Sequence, residues 1–145
     1  MSVTTCDECG AIYTADGDSC SARFDQLLAL DHSRREPWGS RHGQAFAAFA
    51  LQHPRTFDAA LDHAWAALHR IYVEGVDARR VYTELVRGGG ELPHWWLVIP
   101  RPARRVAVPA TVTIGDLGDF AAETYPLRLD AWCRASLASW GGETG

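Results

Sequence analysis

Three of the chain's four cysteines, Cys6, Cys9 and Cys20, lie within its first twenty residues. Two residues separate Cys6 from Cys9, and Gly10 follows, which is the pattern of a zinc-knuckle turn. Two thiolates at this spacing can both reach one tetrahedral zinc ion at about 2.3 Å. The alternatives are a disulfide, free thiols or a redox pair, but a thioredoxin-like pair needs a strand before it and a helix after it. The spacing therefore favours Zn²⁺ as the cofactor.

Helix register suggests the fourth ligand. If the first two predicted helices form an antiparallel hairpin that turns near Pro37, Cys20 lies close to residue 55. The nearest side chain that could bind metal is His53, and His42 is the alternative. We therefore predict a closed Cys3His zinc site, a type that is structural. Its ligands are Cys6, Cys9, Cys20 and His53.

The other histidines suggest a second site. The same register argument places His32 close to His42, and a second hairpin places His42 opposite His69. These three would form a second metal site or an acid–base pocket, away from the cysteines. His42 and His53 are about 16 Å apart along a helix, so they cannot share an ion. The alternative is that His32, His42 and His69 are each hydrogen-bonded core residues with no functional role. His63, on the other side of the third predicted helix, is expected to be exposed.

The composition excludes several reaction classes. All 14 basic residues are arginine, and the chain has neither lysine nor asparagine. Schiff-base chemistry, a P-loop lysine and a Cys-His-Asn triad are therefore excluded. Cys133, beside Trp132 in the last predicted helix, is more typical of a small buried hydrophobe than of a nucleophile.

These candidate residues must be positioned by helices, which the apolar periodicity predicts. The predicted helices cover residues 18 or 19 to 35, 40–51, 56–73, 77–87 and 125–140. A polar turn over residues 1–18 precedes them. Residues 91–112 carry four prolines and indicate an extended strap with at most one or two short strands. The sequence thus predicts a single zinc-binding helical domain over residues 1–145, an all-α bundle of about five helices with a zinc-knuckle turn and a Pro-rich strap.

Charge and hydropathy limit the partners. The 145 residues are 47% apolar and carry a net charge of −4, as in a soluble globular protein. This acidic balance argues against nucleic acid as a partner, despite the basic run at residues 101–105. No apolar run is long enough to span a membrane, and the N-terminus has no signal-peptide pattern, so we expect a cytoplasmic protein. The partner would be an unidentified protein or small molecule, and the oligomeric state is not predicted.

Several segments together resemble a bacterial family of domains of unknown function that is frequent in actinobacteria. Its members carry C-x2-C-G, a Gly-Cys-x3-Phe element and an H-x10-HP segment that ends in Gln-His-Pro. Ser19 stands where the family usually has glycine and Ser21 where an aromatic residue is common, and neither change removes a ligand. The resemblance supports the metal site, adds weight to His42 and His63 as pocket residues, and implies no reaction. The matching positions are Cys6, Cys9, Gly10, Cys20, Phe24, His42, Gln52, His53, Pro54 and His63.

Two functions fit these patterns. The first is a zinc-stabilised binding or accessory module, which is favoured because no convincing nucleophile or general base is predicted. The second is a small metal-dependent enzyme, in which a metal near His42 activates water or a thiol by lowering its pKa. The enzyme hypothesis requires His42 to face a solvent-reachable cavity with another histidine or a carboxylate nearby. Its pocket residues would be His32, His42, His63 and His69.

Overall fold

Five α-helices make up nearly half of the part of the chain that the structure, a computed structural model, describes: residues 3–89 and 100–142. The helices are α1 (Cys20–His32), α2 (His42–Gln52), α3 (Leu61–Tyr72), α4 (Ala78–Arg87) and α5 (Tyr125–Ser139). Short 3-10 turns occur at Gly39–Arg41, Asp58–Ala60 and Ile114–Leu117. The predicted all-α bundle of about five helices is confirmed. No helix among the described residues is both long and apolar enough to cross a membrane.

Local sequence explains where the helices begin and end. The side chains of Ser19 and Asp77 accept hydrogen bonds from backbone amides in the first turns of α1 and α4, which would otherwise lack partners. Pro126 lies in the first turn of α5, where its missing N–H costs no hydrogen bond. α1 ends at His32, before the predicted end near residue 35, because Arg34 adopts a left-handed backbone conformation with φ of 61°.

Helix α2 lies at the centre of the bundle. Eight of its eleven residues are buried, and it packs against α1, α3 and α5. Alanine is frequent in α2, so neighbouring helices can approach it on more than one side. Gln52, near its end, is 1% exposed. Its side-chain amide donates to the Val112 carbonyl at 2.7 Å, and its oxygen accepts from the Trp132 indole at 3.0 Å. Gln52 therefore connects α2 both to α5 and to Val112, in the segment that precedes α5.

The N-terminal segment contains a small sheet. Strands β1 (Thr4–Thr5) and β2 (Ile12–Tyr13) pair antiparallel, with Thr4 opposite Tyr13. The prediction of a plain turn over residues 1–18 is wrong at these positions. Each strand has only two residues, too few for an alternating pattern to be visible in the sequence.

Residues 100–112, the described part of the predicted strap, contact the N-terminal segment. Residues 91–99 lie outside the described residues, and residues 100–112 contain neither helix nor strand. The Arg105 guanidinium donates to the backbone carbonyls of Glu8 and Gln52. The amide of Val106 donates to the Ser139 carbonyl at 2.7 Å. Residues 100–112 are therefore fastened both to the cysteine-rich turn and to the end of α5.

Candidate metal centre

The structure brings together the four side chains predicted to bind zinc. The ligand atoms of Cys6, Cys9, Cys20 and His53 all lie within 4.8 Å of one another. The Cys6 sulfur is 3.6 Å from Nε2 of His53, and the sulfurs of Cys9 and Cys20 are 3.4 Å apart. A tetrahedral zinc ion needs sulfur and nitrogen ligands that are about 3.3–3.8 Å from each other. The sulfur–sulfur distance is too long for a disulfide, which needs about 2.05 Å, and all four cysteines are free. The group could therefore hold a metal ion.

The turn that carries Cys6 and Cys9 is closed by Gly10, the residue after Cys9. The Gly10 amide donates to the Cys6 carbonyl at 2.9 Å, and the Cys6 amide donates to the Ala11 carbonyl at 2.8 Å. The Ala11 amide points at the Cys9 sulfur at 3.4 Å. Gly10 has a φ of +84°, and a Cβ atom there would overlap the Cβ atom of Pro109. The turn therefore needs glycine at this position, both for its backbone conformation and for space.

His53 presents one defined ring nitrogen to the sulfurs. Its Nδ1 lies 2.8 Å from the Phe49 carbonyl oxygen, which can only accept a hydrogen bond, so Nδ1 carries the proton. Nε2 faces Cys6 and is the nitrogen that the neutral ring leaves free to bind a metal ion. Pro54 follows, and the residue before a proline is displaced from helical space. α2 accordingly ends at Gln52, and His53, 4% exposed, turns toward the cysteines.

Cys20 contributes the third sulfur from the first position of α1. The Tyr13 hydroxyl lies 2.9 Å from this sulfur. Burial, followed by the hydrogen bond to Cys20, raises the pKa of Tyr13, so the phenol keeps its proton and can donate it to a thiolate.

The protonation of the Cys9 thiol shows what a metal ion would change. The hydrogen bond with Cys20 and burial raise the pKa of Cys9 to about 12. At neutral pH the Cys9 sulfur therefore keeps its proton when no cation is present. A divalent metal ion replaces thiol protons and compensates the buried negative charge.

Glu8 fastens the cysteine turn to the chain that follows His53. Its carboxylate accepts hydrogen bonds from the Arg55 amide at 2.7 Å and from the Thr56 hydroxyl at 2.6 Å. Burial alone would raise the pKa of Glu8, but the hydrogen bonds from Thr56 and Arg55 outweigh it and lower the pKa. Glu8 is therefore ionised at neutral pH and holds two distant segments together around the cluster.

The family of the chain is decided by a match that covers nearly all of it. A sequence model described as a family of unknown function, DUF5946, matches residues 4–141. The chain belongs to this family. No curated protein and no solved structure matches it. The DUF5946 match includes the four candidate ligands and His42, and it confirms the resemblance seen in the sequence.

A second group of polar residues in this DUF5946 chain surrounds His42. Nδ1 of His42 lies 2.9 Å from Oδ2 of Asp31, and its ring centroid is 5.6 Å from that of His32. The hydrogen bond to Asp31 raises the pKa of His42, against the opposing effect of burial. The hairpin of α1 and α2 therefore brings His32 and His42 together, as helix register predicts.

His69 and His63 are not part of this group. The ring of His69 packs against Trp65 at 5.7 Å between centroids, and neither histidine lines the cavity that His42 faces. His69 is therefore not on the wall of the cavity that His42 lines, where the expected convergence of the two histidines would place it. Register along a hairpin fixes height but not the rotation of a helix about its axis. The buried face of α3 includes Leu68, and the next residue projects about 100° away from it.

A cavity of about 750 Å³ joins the two groups. The cysteine cluster contributes Cys6, Cys20 and His53 to its wall, and His32 and His42 also line it. The apolar side chains that line it are Phe24, Leu28, Phe46, Phe49 and Phe57. The site is thus an apolar chamber with the candidate metal centre and the His42 group both on its wall.

Asp31 is the residue of this site that sequence reasoning left without a role. Its signal is visible, because an aspartate on the apolar stripe of α1, with Phe24 and Leu27, calls for a buried partner. Tyr13, Glu8 and Arg105 have no such signal, since their contacts depend on how distant segments pack.

Proposed function

We propose that this DUF5946 protein is a zinc-binding helical module, in which a closed Cys3His centre fixes residues 3–18 to the helical bundle. The observation that carries the proposal is that the four ligand atoms, from three separate parts of the chain, lie within 4.8 Å of one another. Four protein ligands complete a tetrahedral shell, so the metal has a structural role and the protein acts as a binding or accessory module.

The donor set favours zinc. Three thiolates and one imidazole suit a soft or borderline metal in tetrahedral geometry, and Ca²⁺ and Mg²⁺ prefer oxygen. Zinc has no redox chemistry and no preferred geometry of its own. It therefore fits a site whose four ligand atoms lie within 4.8 Å of one another.

The N-terminal segment, residues 3–18, depends on metal binding for its stability. Its strands have two residues each, and a two-stranded sheet of this size is not stable by itself. Its buried apolar side chains include Ala11 and Tyr13, whose burial offsets only part of the entropy lost when residues 3–18 become ordered. The free energy of metal binding supplies the remainder, as in other small zinc-stabilised folds.

Cobalt(II) titration tests this proposal, because a tetrahedral thiolate site gives intense visible bands and sulfur-to-cobalt charge-transfer absorption. We expect one cobalt ion per chain with these bands, and displacement by zinc. Cys9→Ser should weaken the bands and shift them. Cys133→Ala is the matched control, because Cys133 is equally buried but packs elsewhere, near the Gln44 carbonyl. Weak bands of octahedral type, or a Cys9→Ser spectrum identical to that of the wild type, would overturn the proposal.

The alternative, a metal-dependent enzyme centred on His42, is favoured by one observation. His42 and Asp31 form a hydrogen-bonded pair, and His42 faces a cavity. The pair supplies two ligands, whereas catalytic zinc sites use three. Among the described residues, the cysteine cluster is the group of three or more side chains with metal-ligand spacing. The closed zinc site is therefore the better-supported function, and the His42 pair needs a role of another kind.

A further inference from the structure

The Asp31–His42 pair has the geometry of an oriented proton acceptor. The Asp31 side chain is fully buried, and 42% of the His42 side chain is exposed. Their hydrogen bond uses Nδ1 of the imidazole, which leaves Nε2 for a ligand in the cavity. A buried carboxylate on one imidazole nitrogen fixes the ring orientation and makes the other nitrogen more basic.

The electrostatic surroundings of His42 are dominated by this carboxylate. Oδ1 of Asp31 has no hydrogen-bond partner within the described part of the chain, so the stabilisation of the Asp31 charge falls mainly on His42. The titratable or charged groups beside the pair are His32 of α1, Arg41 next to His42, and Tyr125 of α5, and Asp25 of α1 lines the same cavity as His42. Arg41 is engaged by the Pro37 carbonyl and Glu36, and Tyr125 keeps its proton because burial and the Asp31 charge raise its pKa.

The cavity walls suit an aromatic ring. Phe24 and Phe49 stack with centroids 4.0 Å apart, and Phe46 and Phe57 meet edge to face at 5.5 Å. Such walls favour another ring in stacked or edge-on contact. The cavity volume of about 750 Å³ is in the range of small-molecule sites.

We propose that His42 is the proton acceptor of a metal-independent binding site in this cavity, and that the ligand is a small aromatic molecule with an acidic hydroxyl group, a phenol. The ring lies against the phenylalanine side chains, and the hydroxyl faces Nε2 of His42. The O–H bond breaks and its proton moves to Nε2. The phenolate then stays beside the imidazolium, which donates its other N–H to Asp31.

Titration of para-nitrophenol with zinc-loaded protein tests this directly, because the phenolate is coloured and the phenol is not. At a pH where the free probe is partly ionised, we expect saturable binding with increased phenolate absorbance. This corresponds to a lowering of the bound probe's pKa by about one pH unit, as an adjacent positive charge produces. Phe46→Ala should bind about tenfold more weakly, through the loss of one ring contact.

Three further variants separate the proton acceptor from the rest of the site. His42→Gln should still bind the probe, measured by equilibrium dialysis, without the gain in phenolate absorbance. Asp31→Asn should reduce the gain, and His63→Gln, which replaces a histidine outside the cavity wall, should leave it unchanged. Absence of saturable binding to the wild type, or an undiminished gain in His42→Gln, would overturn the proposal.

A measurement on the wild type keeps the test decisive if a variant fails to fold. In protein labelled with ¹⁵N at histidine, adding the probe should move the ring nitrogens of one histidine from neutral to imidazolium shifts. No such change at a saturating concentration of the probe would refute the inference. Zinc content is measured on the same samples, so failure of the His42 site is distinguishable from failure of the zinc centre.

Discussion

Nε2 of His53 lies 3.6 Å from the sulfur of Cys6, although 47 residues separate them in the chain. The opposite nitrogen of the same ring donates to the Phe49 carbonyl one turn earlier in α2. Helix α2 thus fixes the orientation of the His53 ring, and the turn that carries Cys6 packs against that ring. The contact between His53 and Cys6 joins the cysteine turn to the helical bundle. Substitutions at several positions should therefore change the free energy of unfolding in predictable ways.

Gly10→Ala should destabilise the zinc-bound protein strongly. The new methyl group would overlap Cβ of Pro109, and Gly10 has a φ of +84°, which costs an L-residue about 1–2 kcal/mol. With overpacking added, we expect a loss of about 3 kcal/mol or more in the free energy of unfolding. Urea denaturation of zinc-loaded protein measures it.

Gly17→Ala is the matched control for this prediction. Gly17 also has a left-handed conformation, with φ of +77°, but a Cβ atom added there would have no neighbouring atom within 4 Å. Only the backbone cost applies, about 1–2 kcal/mol. Equal losses in the two variants would show that the contact with Pro109 is unimportant.

Gln52→Met should destabilise the core while nearly preserving side-chain shape. The change leaves the Trp132 indole N–H and the Val112 carbonyl without the partner that Gln52 provides. Two buried groups without partners cost about 2–4 kcal/mol together. Gln26→Met, at an exposed position of α1, should change the free energy of unfolding by less than about 0.5 kcal/mol. A loss below about 1 kcal/mol for Gln52→Met would contradict the bridging role of Gln52.

The Asp31–His42 hydrogen bond should make stability depend on pH. It raises the pKa of folded His42 above the ordinary value of 6.5. The stabilisation is therefore complete below about pH 6.5 and is lost as the pH rises through the folded pKa. The difference in unfolding free energy between wild type and His42→Gln should shrink as the pH rises from about 6.5 through the folded pKa of His42. Since 42% of the His42 side chain is exposed, solvent screening keeps the change below about 1 kcal/mol.

The contribution of His69 to the free energy of unfolding should depend on pH with the opposite sign to that of His42. Burial lowers its pKa in the folded protein, so the unfolded chain binds a proton more readily between the two pKa values. Stability from His69 is lost as the pH falls through about 6.5. The difference between wild type and His69→Gln should therefore grow as the pH rises from the folded pKa of His69 through about 6.5. A trend of the same sign as for His42 would contradict the assignment of both groups.

Local spacing made much of the candidate centre predictable from the sequence. Cys6, Cys9 and Gly10 form a turn whose geometry depends on adjacent residues alone. The link from Cys20 to His53 follows from helix rise, because both helices of the hairpin advance by the same distance per residue. These relationships need no knowledge of side-chain packing.

The remaining features depend on packing between distant segments. Helix rise gives no information on rotation, so whether His69 lines the same cavity as His42 could not be predicted. Arg105 contacts the Glu8 carbonyl across 97 residues, and no local pattern encodes such a contact. The strands β1 and β2 are too short for an alternating pattern to reveal them.

The most direct test of the central claim is the metal content of untagged protein purified without chelator, measured by elemental analysis. We predict one zinc ion per chain in the wild type and in Cys133→Ala, and loss of that zinc in Cys6→Ser together with reduced stability. Wild-type protein without metal, or Cys6→Ser protein with its full zinc content, would contradict the proposal that Cys6, Cys9, Cys20 and His53 form a zinc centre.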